Sequence, residues 1–215
     1  MLPGSWEGII FTGPGRQVML RGNMRKTIIL ASASPRRKEL LKLTRLKFKV
    51  DAGNYDENLN LKLKPHKLAR FLSKQKAKTI AGKYKNAVII AADTFIVLKN
   101  RLLGKPHSDA EAKKMLKILS GKSHSVITGF TVMDTGSNKT ISGSAETKVY
   151  LKKLSSKEID AYVRTKEPLD KAGAYAIQGL GSVIIKKIEG DYFNVIGLPL
   201  SALTEILKKF GIHVL

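Results

Sequence analysis

The run Ala87-Val88-Ile89-Ile90-Ala91-Ala92 constrains this chain more than any other stretch. It is apolar on both of its alternating faces, so as a strand it belongs inside a sheet covered on both sides. It ends in Asp93-Thr94. An acid at the carboxyl end of a central strand lies where open α/β sheets place their ligands. The plainer alternative is an aspartate that caps a neighbouring element.

A second stretch, residues 28–41, reads as a short buried strand, a small-residue turn and a helix. Ser34 suits the N-cap, and Pro35 suits the first helical position, where its missing N–H costs nothing. Arg36 and Arg37 then fall in the first turn, where the helix already carries partial positive charge; cations there are unfavourable by roughly 0.3–1 kcal/mol each. A bound anion would resolve that conflict, because two arginines and free N–H groups make a phosphate cradle. The alternative is a solvated basic helix start.

The rest of the chain alternates helices with strands. Strand pattern is expected over 48–50, 95–98, 102–103, 126–133, 141–151 and 183–188, with a hairpin turn at 99–101. A long helix is expected over 65–83, with Leu68, Leu72 and Ile80 on its buried face. Ser108 to Glu111 and Ser155 to Glu158 read as capping boxes opening two more helices. A last helix starts at Pro199 and buries Leu200, Leu203, Ile206 and Leu207. Asn54 to Asn58 is a polar loop, and Gly104-Lys105-Pro106 is a loop in which a lysine can reach an anion. Residues 170–181 are rich in Gly and Ala, letting backbone and ligand approach closely. Gly179-Leu180-Gly181 lacks the third glycine of a dinucleotide fingerprint, and no Walker A sequence occurs. Residues 1–23 have several Gly and Pro and no periodicity; they are expected to be a disordered extension, or to follow from a start codon chosen too far upstream. Residues 24–215 are expected to form a single domain.

Composition narrows the classes. The chain has 215 residues, 43% of them hydrophobic, and no cysteine, which excludes disulfides and thiolate metal sites. No apolar run approaches the ~20 residues of a membrane span, so a soluble, cytoplasmic protein without a membrane partner is expected. The four histidines share no metal-ligand spacing. The net charge of +22 favours a phosphate-bearing partner without choosing among nucleotides, nucleic acid and acidic surfaces. A general bias toward basic surfaces explains it equally well.

Four stretches carry a resemblance, in one order: Leu30 to Leu41, Ala91-Ala92-Asp93-Thr94, Leu103-Gly104-Lys105-Pro106, and Asp170-Lys171-Ala172-Gly173-Ala174-Tyr175-Ala176-Ile177-Gln178-Gly179. Together they resemble the motifs of the Maf family of nucleotide pyrophosphatases, also called septum-formation-inhibitor proteins. The resemblance implies a mixed α/β fold, similar to inosine triphosphatases, with an elongated twisted sheet in two lobes around a central cleft. It implies hydrolysis of a nucleoside triphosphate to the monophosphate and pyrophosphate. It assigns Asp93 as general base, with Glu57 as second acid and both as ligands of a divalent ion, Mg²⁺ first and Mn²⁺ as the alternative. Ser32, Arg36, Arg37, Lys76 and Lys105 match the phosphate-binding positions, although Lys76 also reads as one solvated lysine beside Lys74 and Lys78. Arg36, Thr94 and Gln178 match the positions linked to specificity, and Asp170 and Lys171 are further cleft candidates. The fourth motif resembles the branch acting on dTTP and UTP, and the family implies a homodimer.

Gln178 supplies a physical reason for a pyrimidine. Its amide oxygen can accept from N3–H of uracil or thymine while its NH₂ donates to O4; a flipped amide would suit cytosine. Two alternatives remain at this level: a pyrophosphatase of the same family acting on 7-methyl-GTP or another modified nucleotide, and a non-catalytic binder of nucleic acid or a cell-division protein.

Overall fold

The computed structural model describes residues 26–55, 61–99 and 101–215. Its centre is strand β3 (Ala87–Leu98), which with β1 (Thr27–Leu30), β2 (Phe48–Val50), β4 (Arg101–Leu103), β5 (Ser123–Asp134), β6 (Thr140–Leu151) and β7 (Ile185–Glu189) forms one mixed sheet. The order is β2-β1-β3-β5-β6-β7, with β4 also on β3. The helices are α1 (Pro35–Lys42), α2 (Pro65–Ala81), α3 (Asp109–Leu119), α4 (Ser156–Arg164), α5 (Tyr192–Ile196) and α6 (Leu200–Lys208). The expected mixed α/β class is the one observed.

Strand β3 corrects one expectation. It does not stop at Asp93 but runs on through Phe95-Ile96-Val97-Leu98, because β5 pairs with it antiparallel from Val88 to Val97 without a break. Asp93 and Thr94 are therefore mid-strand. The opposite edge of β3 is divided. Parallel β1 covers it from Ala87 to Ile90, and antiparallel β4 covers it from Ile96 to Leu98. Among the described residues no strand covers that edge from Ala91 to Phe95, and there the chain leaves β1 for the turn before α1.

Alternation along β3 sends odd-numbered side chains to one face and even-numbered ones to the other. On the odd face, α2 buries Ala87, Ile89 and Ala91 under Ala77 and Ile80, and Phe95 under Leu68, Ala69 and Leu72. The even face carries two separate cores. Val88, Ile90 and Ala92 pack with Leu40 and Leu41 of α1 and with Leu203 and Leu207 of α6. Ile96 and Leu98 pack with Leu116 and Leu119 of α3 and with Ile159 and Val163 of α4. These two groups are the lobes, and Asp93 and Thr94 lie at the level between them.

Other differences are local. The helix expected over 65–83 ends at Ala81. The strand expected over 183–188 begins only at Ile185, after 3-10 turns spanning Gly179–Ile184. The capping box at Ser155 is complete, whereas at Ser108 only half forms: Ser108 accepts from the N–H of Glu111, but the Glu111 carboxylate takes the N–H of His107 instead. Residues 1–23 and Glu57 lie outside the described residues. Among those described, no helix is long and apolar enough to cross a membrane.

The sharpest packing constraint is Gly129 of β5, directly across from Asp93. A Cβ there would lie 2.1 Å from the backbone carbonyl carbon and oxygen of Ala69, so α2 can lie this close to the sheet only over a glycine. Gly129→Ala is expected to lower stability by about 1–3 kcal/mol, the usual range for overpacking. A urea midpoint that falls at constant slope would show it; an unchanged midpoint would mean that α2 shifts freely.

Candidate active site

The uncovered stretch of β3 opens into a cleft with a chamber on each face of the sheet. The odd-face chamber, about 360 Å³, is lined by Ser32, Gly53, Tyr55, Lys76, Asp93 and Lys105, among others. The even-face chamber, about 80 Å³, is lined by Ile96, Lys171, Tyr175, Ile177, Gln178 and Val195, among others. Ser34, Arg36, Arg37, Thr94 and Lys105 border both, so the two are one continuous cleft.

Asp93 is the floor of the larger chamber and is 1% exposed. Lys76 reaches it from α2, with Nζ 2.5 Å from Oδ1. A buried carboxylate without a counter-charge costs several kcal/mol, and Lys76 supplies that charge. This separates Lys76 from the solvated lysines on the same helix: Lys74 and Lys78 project elsewhere because positions two apart do not share a helix face.

Helix α1 delivers the arginines. Ser34 caps it, accepting from the N–H of Arg37, and Pro35 opens it. Arg37 lies across the gap in the sheet: Nε donates to the Gly197 carbonyl at 2.9 Å, one terminal NH₂ to Thr94 Oγ1 at 3.0 Å and the other to Ser32 Oγ at 3.3 Å. Thr94 is bonded in turn to Thr128 (2.9 Å), which donates to the Asn194 carbonyl (3.1 Å). Arg36 holds the rim, giving one N–H to the Asp170 carboxylate at 2.9 Å and another to the Asp170 carbonyl at 3.1 Å. Burial works against the charge on Asp170, but Lys171 and Arg36 outweigh it and hold its carboxyl below the usual range. Lys105 makes no hydrogen bond or ion pair with any described residue, which leaves its ammonium available to a ligand.

The Gly104-Lys105 loop and the segment carrying Asp170 to Gln178 are joined by one backbone bond, Gly173 N–H to the Gly104 carbonyl, at 2.8 Å. Gly173 and Ala174 are both left-handed, at φ 68° and 63°. A side chain at Gly173 would also strike Ile96. Ala174 bears a conformational cost of roughly 1–2 kcal/mol, which fits strain held at a ligand site by surrounding packing. The Gln178 side chain is exposed at the mouth of the smaller chamber and makes no hydrogen bond with any described residue, so both ends of its amide face solvent or ligand.

All of the expected site residues that fall within the described residues line this cleft: Ser32, Arg36, Arg37, Lys76, Asp93, Thr94, Lys105, Asp170, Lys171 and Gln178. The sequence reading did not single out Gly53 and Tyr55, which wall the Asp93 chamber, or Gly197, whose carbonyl aims Arg37. It also gave no role to His124. That residue is buried behind the smaller chamber, with Nε2 2.6 Å from the Tyr175 hydroxyl. No local signal marks Gly53 or Tyr55; they meet the cleft only through the fold.

The sequence profile of the family described as "Maf-like protein" matches residues 27–210. The chain is 50% identical over 190 residues to a dTTP/UTP pyrophosphatase of Methanosarcina barkeri, covering 88% of this chain and 96% of that protein. It is 44% identical over 197 residues to a dTTP/UTP pyrophosphatase of Bacillus cereus, covering 92% and 96%. It is 50% identical over 192 residues to one of Alkaliphilus oremlandii, covering 88% and 100%. The solved structure of the Staphylococcus aureus Ham1 protein superposes with a TM-score of 0.40 at 16% identity, over 59% of this chain and 72% of that one.

Burial holds the His124 imidazole down to about 4, from an ordinary 6.5. Between those values the unfolded chain binds a proton that the folded protein refuses, so stability falls as pH drops from 6.5 to 4, by about 3 kcal/mol in all. Urea unfolding at pH 7 and at pH 5 is expected to show the loss, and His124→Gln is expected to flatten it. An equal slope in that variant would assign the loss to other groups.

Proposed function

The chain belongs to the Maf family, and from that premise we propose that it hydrolyses dTTP and UTP to the nucleoside monophosphate and pyrophosphate. The observation that carries the reading is the convergence, in one cleft, of a buried carboxylate at Asp93, a cationic rim of Arg36, Arg37 and Lys105, and the uncommitted amide of Gln178. The substrate pair is taken from the names of the relatives.

The base would occupy the even-face chamber, with Gln178 pairing to N3–H and O4 of uracil or thymine. The triphosphate would cross the rim. Arg37 and Ser32 would meet it at the N-terminus of α1, where backbone N–H groups also point. Arg36 would exchange its exposed partner Asp170 for phosphate at small cost, since exposed pairs are worth about 0–1 kcal/mol. Lys105 would close over it as a point charge. Thr94 would hold Arg37 in register between the two chambers.

Asp93 would take a proton from water as the water oxygen bonds to the α-phosphorus. The bridging bond to the β-phosphate breaks, and pyrophosphate leaves with its charge opposed by the rim cations. Lys76 would fix the Asp93 carboxylate and balance its charge. Asp93, with Glu57, would hold a divalent ion, Mg²⁺ ahead of Mn²⁺. The donor chemistry fits such an ion: a hard carboxylate oxygen stands at the chamber floor near the phosphate-binding rim, which suits Mg²⁺ that keeps several waters and takes phosphate oxygens. When bound, it would supply charge stabilisation and a lower pKa for the attacking water. A homodimer and a cytoplasmic address belong to the same reading.

Pyrophosphate release from dTTP, UTP, CTP, GTP, ATP and methylated nucleotides, with Mg²⁺, tests it. Preferred turnover of dTTP and UTP is expected, with Asp93→Asn lowering kcat by about 10²–10⁴ while UTP still binds by calorimetry. Preference for another nucleotide would keep the reaction and overturn the base assignment. An active Asp93→Asn would remove the base role from Asp93.

A further inference from the structure

The Gly179-Leu180-Gly181 sequence has no part in the reading above, and its surroundings explain it. Residues 178–180 are exposed, and Leu180 is 56% exposed, so none of these three anchors the turn by its own burial. Backbone hydrogen bonds hold it instead, one from Ser182 Oγ to the Gly179 carbonyl at 2.7 Å and the others to a single pair of side chains. The Glu167 carboxylate accepts from the N–H of Leu180 at 3.0 Å and of Gly181 at 2.9 Å, and from the Tyr162 hydroxyl at 2.8 Å. The Tyr162 oxygen in turn accepts from the N–H of Ala176 at 3.2 Å. Both flanks of Gln178 are thus tied to one two-residue clamp.

The glycines are what let the turn close on that clamp. Gly179 is left-handed at φ 73°, and a Cβ there would lie 2.7 Å from Glu167 Oε2. A Cβ at Gly181 would lie 2.4 Å from the Tyr162 hydroxyl oxygen and 2.3 Å from the Ala176 carbonyl oxygen. Burial, then Glu167, pushes the Tyr162 phenol far above its ordinary value, so it stays a donor. Burial works against the Glu167 charge, but the Gly181 N–H, the Tyr162 hydroxyl and the Leu180 N–H outweigh it and hold the carboxyl below its usual range. The clamp is therefore a carboxylate accepting three hydrogen bonds across the whole neutral range.

Resting on the reading of Gln178 as the residue that pairs with the base, we infer that Glu167 and Tyr162 are positioning residues that set substrate specificity: they fix the backbone on both sides of Gln178 and so the placement of its amide. The physical need is direct. An amide pairs with both N3–H and O4 only from one distance and angle, and an untethered turn leaves the side chain free to miss that position. Preorganising the backbone removes part of that freedom before the substrate arrives. Neither residue touches Asp93 or the rim cations, so their effect belongs to recognition and not to the chemical step.

The test compares the full-length wild type with Glu167→Gln, Gln178→Ala and the double variant. It measures kcat and KM for UTP and CTP, and the inhibition constant of inorganic tripolyphosphate, which has no base. Glu167→Gln keeps the size of the side chain but puts an NH₂ where an N–H must be accepted. It is expected to raise KM for UTP about tenfold with kcat within about twofold, to narrow the UTP-over-CTP preference, and to leave tripolyphosphate inhibition unchanged. In the Gln178→Ala background the same substitution is expected to add less than about twofold, because the two residues act as one unit. Faster amide exchange at Leu180 and Gly181 in the ligand-free variant would accompany it.

Losses shared equally by UTP, CTP and tripolyphosphate, or a Glu167→Gln effect of full size in the Gln178→Ala background, would overturn the inference and leave Glu167 a general stabiliser. If Gln178→Ala abolishes the UTP preference while Glu167→Gln keeps it, the base reading stands and the clamp falls. If Gln178→Ala leaves the preference intact, or UTP is not turned over, the base reading fails and takes the clamp with it. Should Glu167→Gln not fold, Tyr162→Phe replaces it, removing the acceptor for Ala176 N–H with the ring retained, and the same signs are expected.

Discussion

One edge of β3 is divided. Parallel β1 pairs with its first four residues and antiparallel β4 with its last three, and both run toward the gap with their carboxyl ends. Among the described residues no strand covers the interval between them, from Ala91 to Phe95. That interval becomes the cleft. The full-length partner on the other edge, β5, keeps β3 straight through the gap, so Asp93 and Thr94 are held by ladder hydrogen bonds on one side while their other side is open. A carboxylate on a strand is held more tightly than one on a loop. This arrangement gives that hold without closing the cleft.

The gap also explains how one cleft carries two environments. Adjacent strand residues point to opposite faces, so Asp93 enters the chamber under α2 and Thr94 the chamber between the two helical lobes. Arg37 connects them, because its guanidinium is long and planar enough to bond Ser32, Thr94 and the Gly197 carbonyl at once. A lysine at this position would bring one point charge and could not hold these three fixed acceptors in a single plane. The unfavourable placement of cations at the start of α1 is thus met in part by fixed oxygen acceptors before any anion arrives, which keeps the first turn folded and the cradle in shape.

Much of this was legible in the sequence. The doubly apolar run at Ala87 to Ala92 marked the central strand, and Ser34-Pro35 marked the helix start. The order of four short motifs marked the residues that would share a cleft, and Lys76 was selected from among Lys74 and Lys78 by resemblance before the ion pair to Asp93 singled it out physically. What local pattern could not give was continuity. Asp93-Thr94 interrupts an apolar run and so reads as a strand end, but cross-strand pairing with Gly129 and Thr128 carries β3 through it. Tertiary pairing overrides a local polar signal here, as it does wherever a strand must present a buried acid. Likewise, Glu111 is spaced for a full capping box, yet takes the N–H of His107 instead of Ser108, a choice of one backbone donor over its neighbour that spacing cannot decide. Gly53 and Tyr55 carry no motif of their own; they matter because of what the fold brings against them.

Glycine marks the places where this structure had least room, and the reasons differ. Gly129 lacks a side chain so that a helix can press on the sheet opposite the acid, whereas Gly173 lacks one so that a left-handed turn can pass Ile96 and bond the Gly104 carbonyl. The first brings α2, and with it Lys76, close beside Asp93 on the same face, and the second joins the Lys105 loop to the segment that ends in Gln178. Under the proposed function, chemistry and recognition would therefore depend on separate close approaches, in two chambers joined at the rim where Arg36, Arg37 and Lys105 stand. On that reading, change on the Gln178 side would alter which base is read without touching Asp93 and Lys76, which line the other chamber.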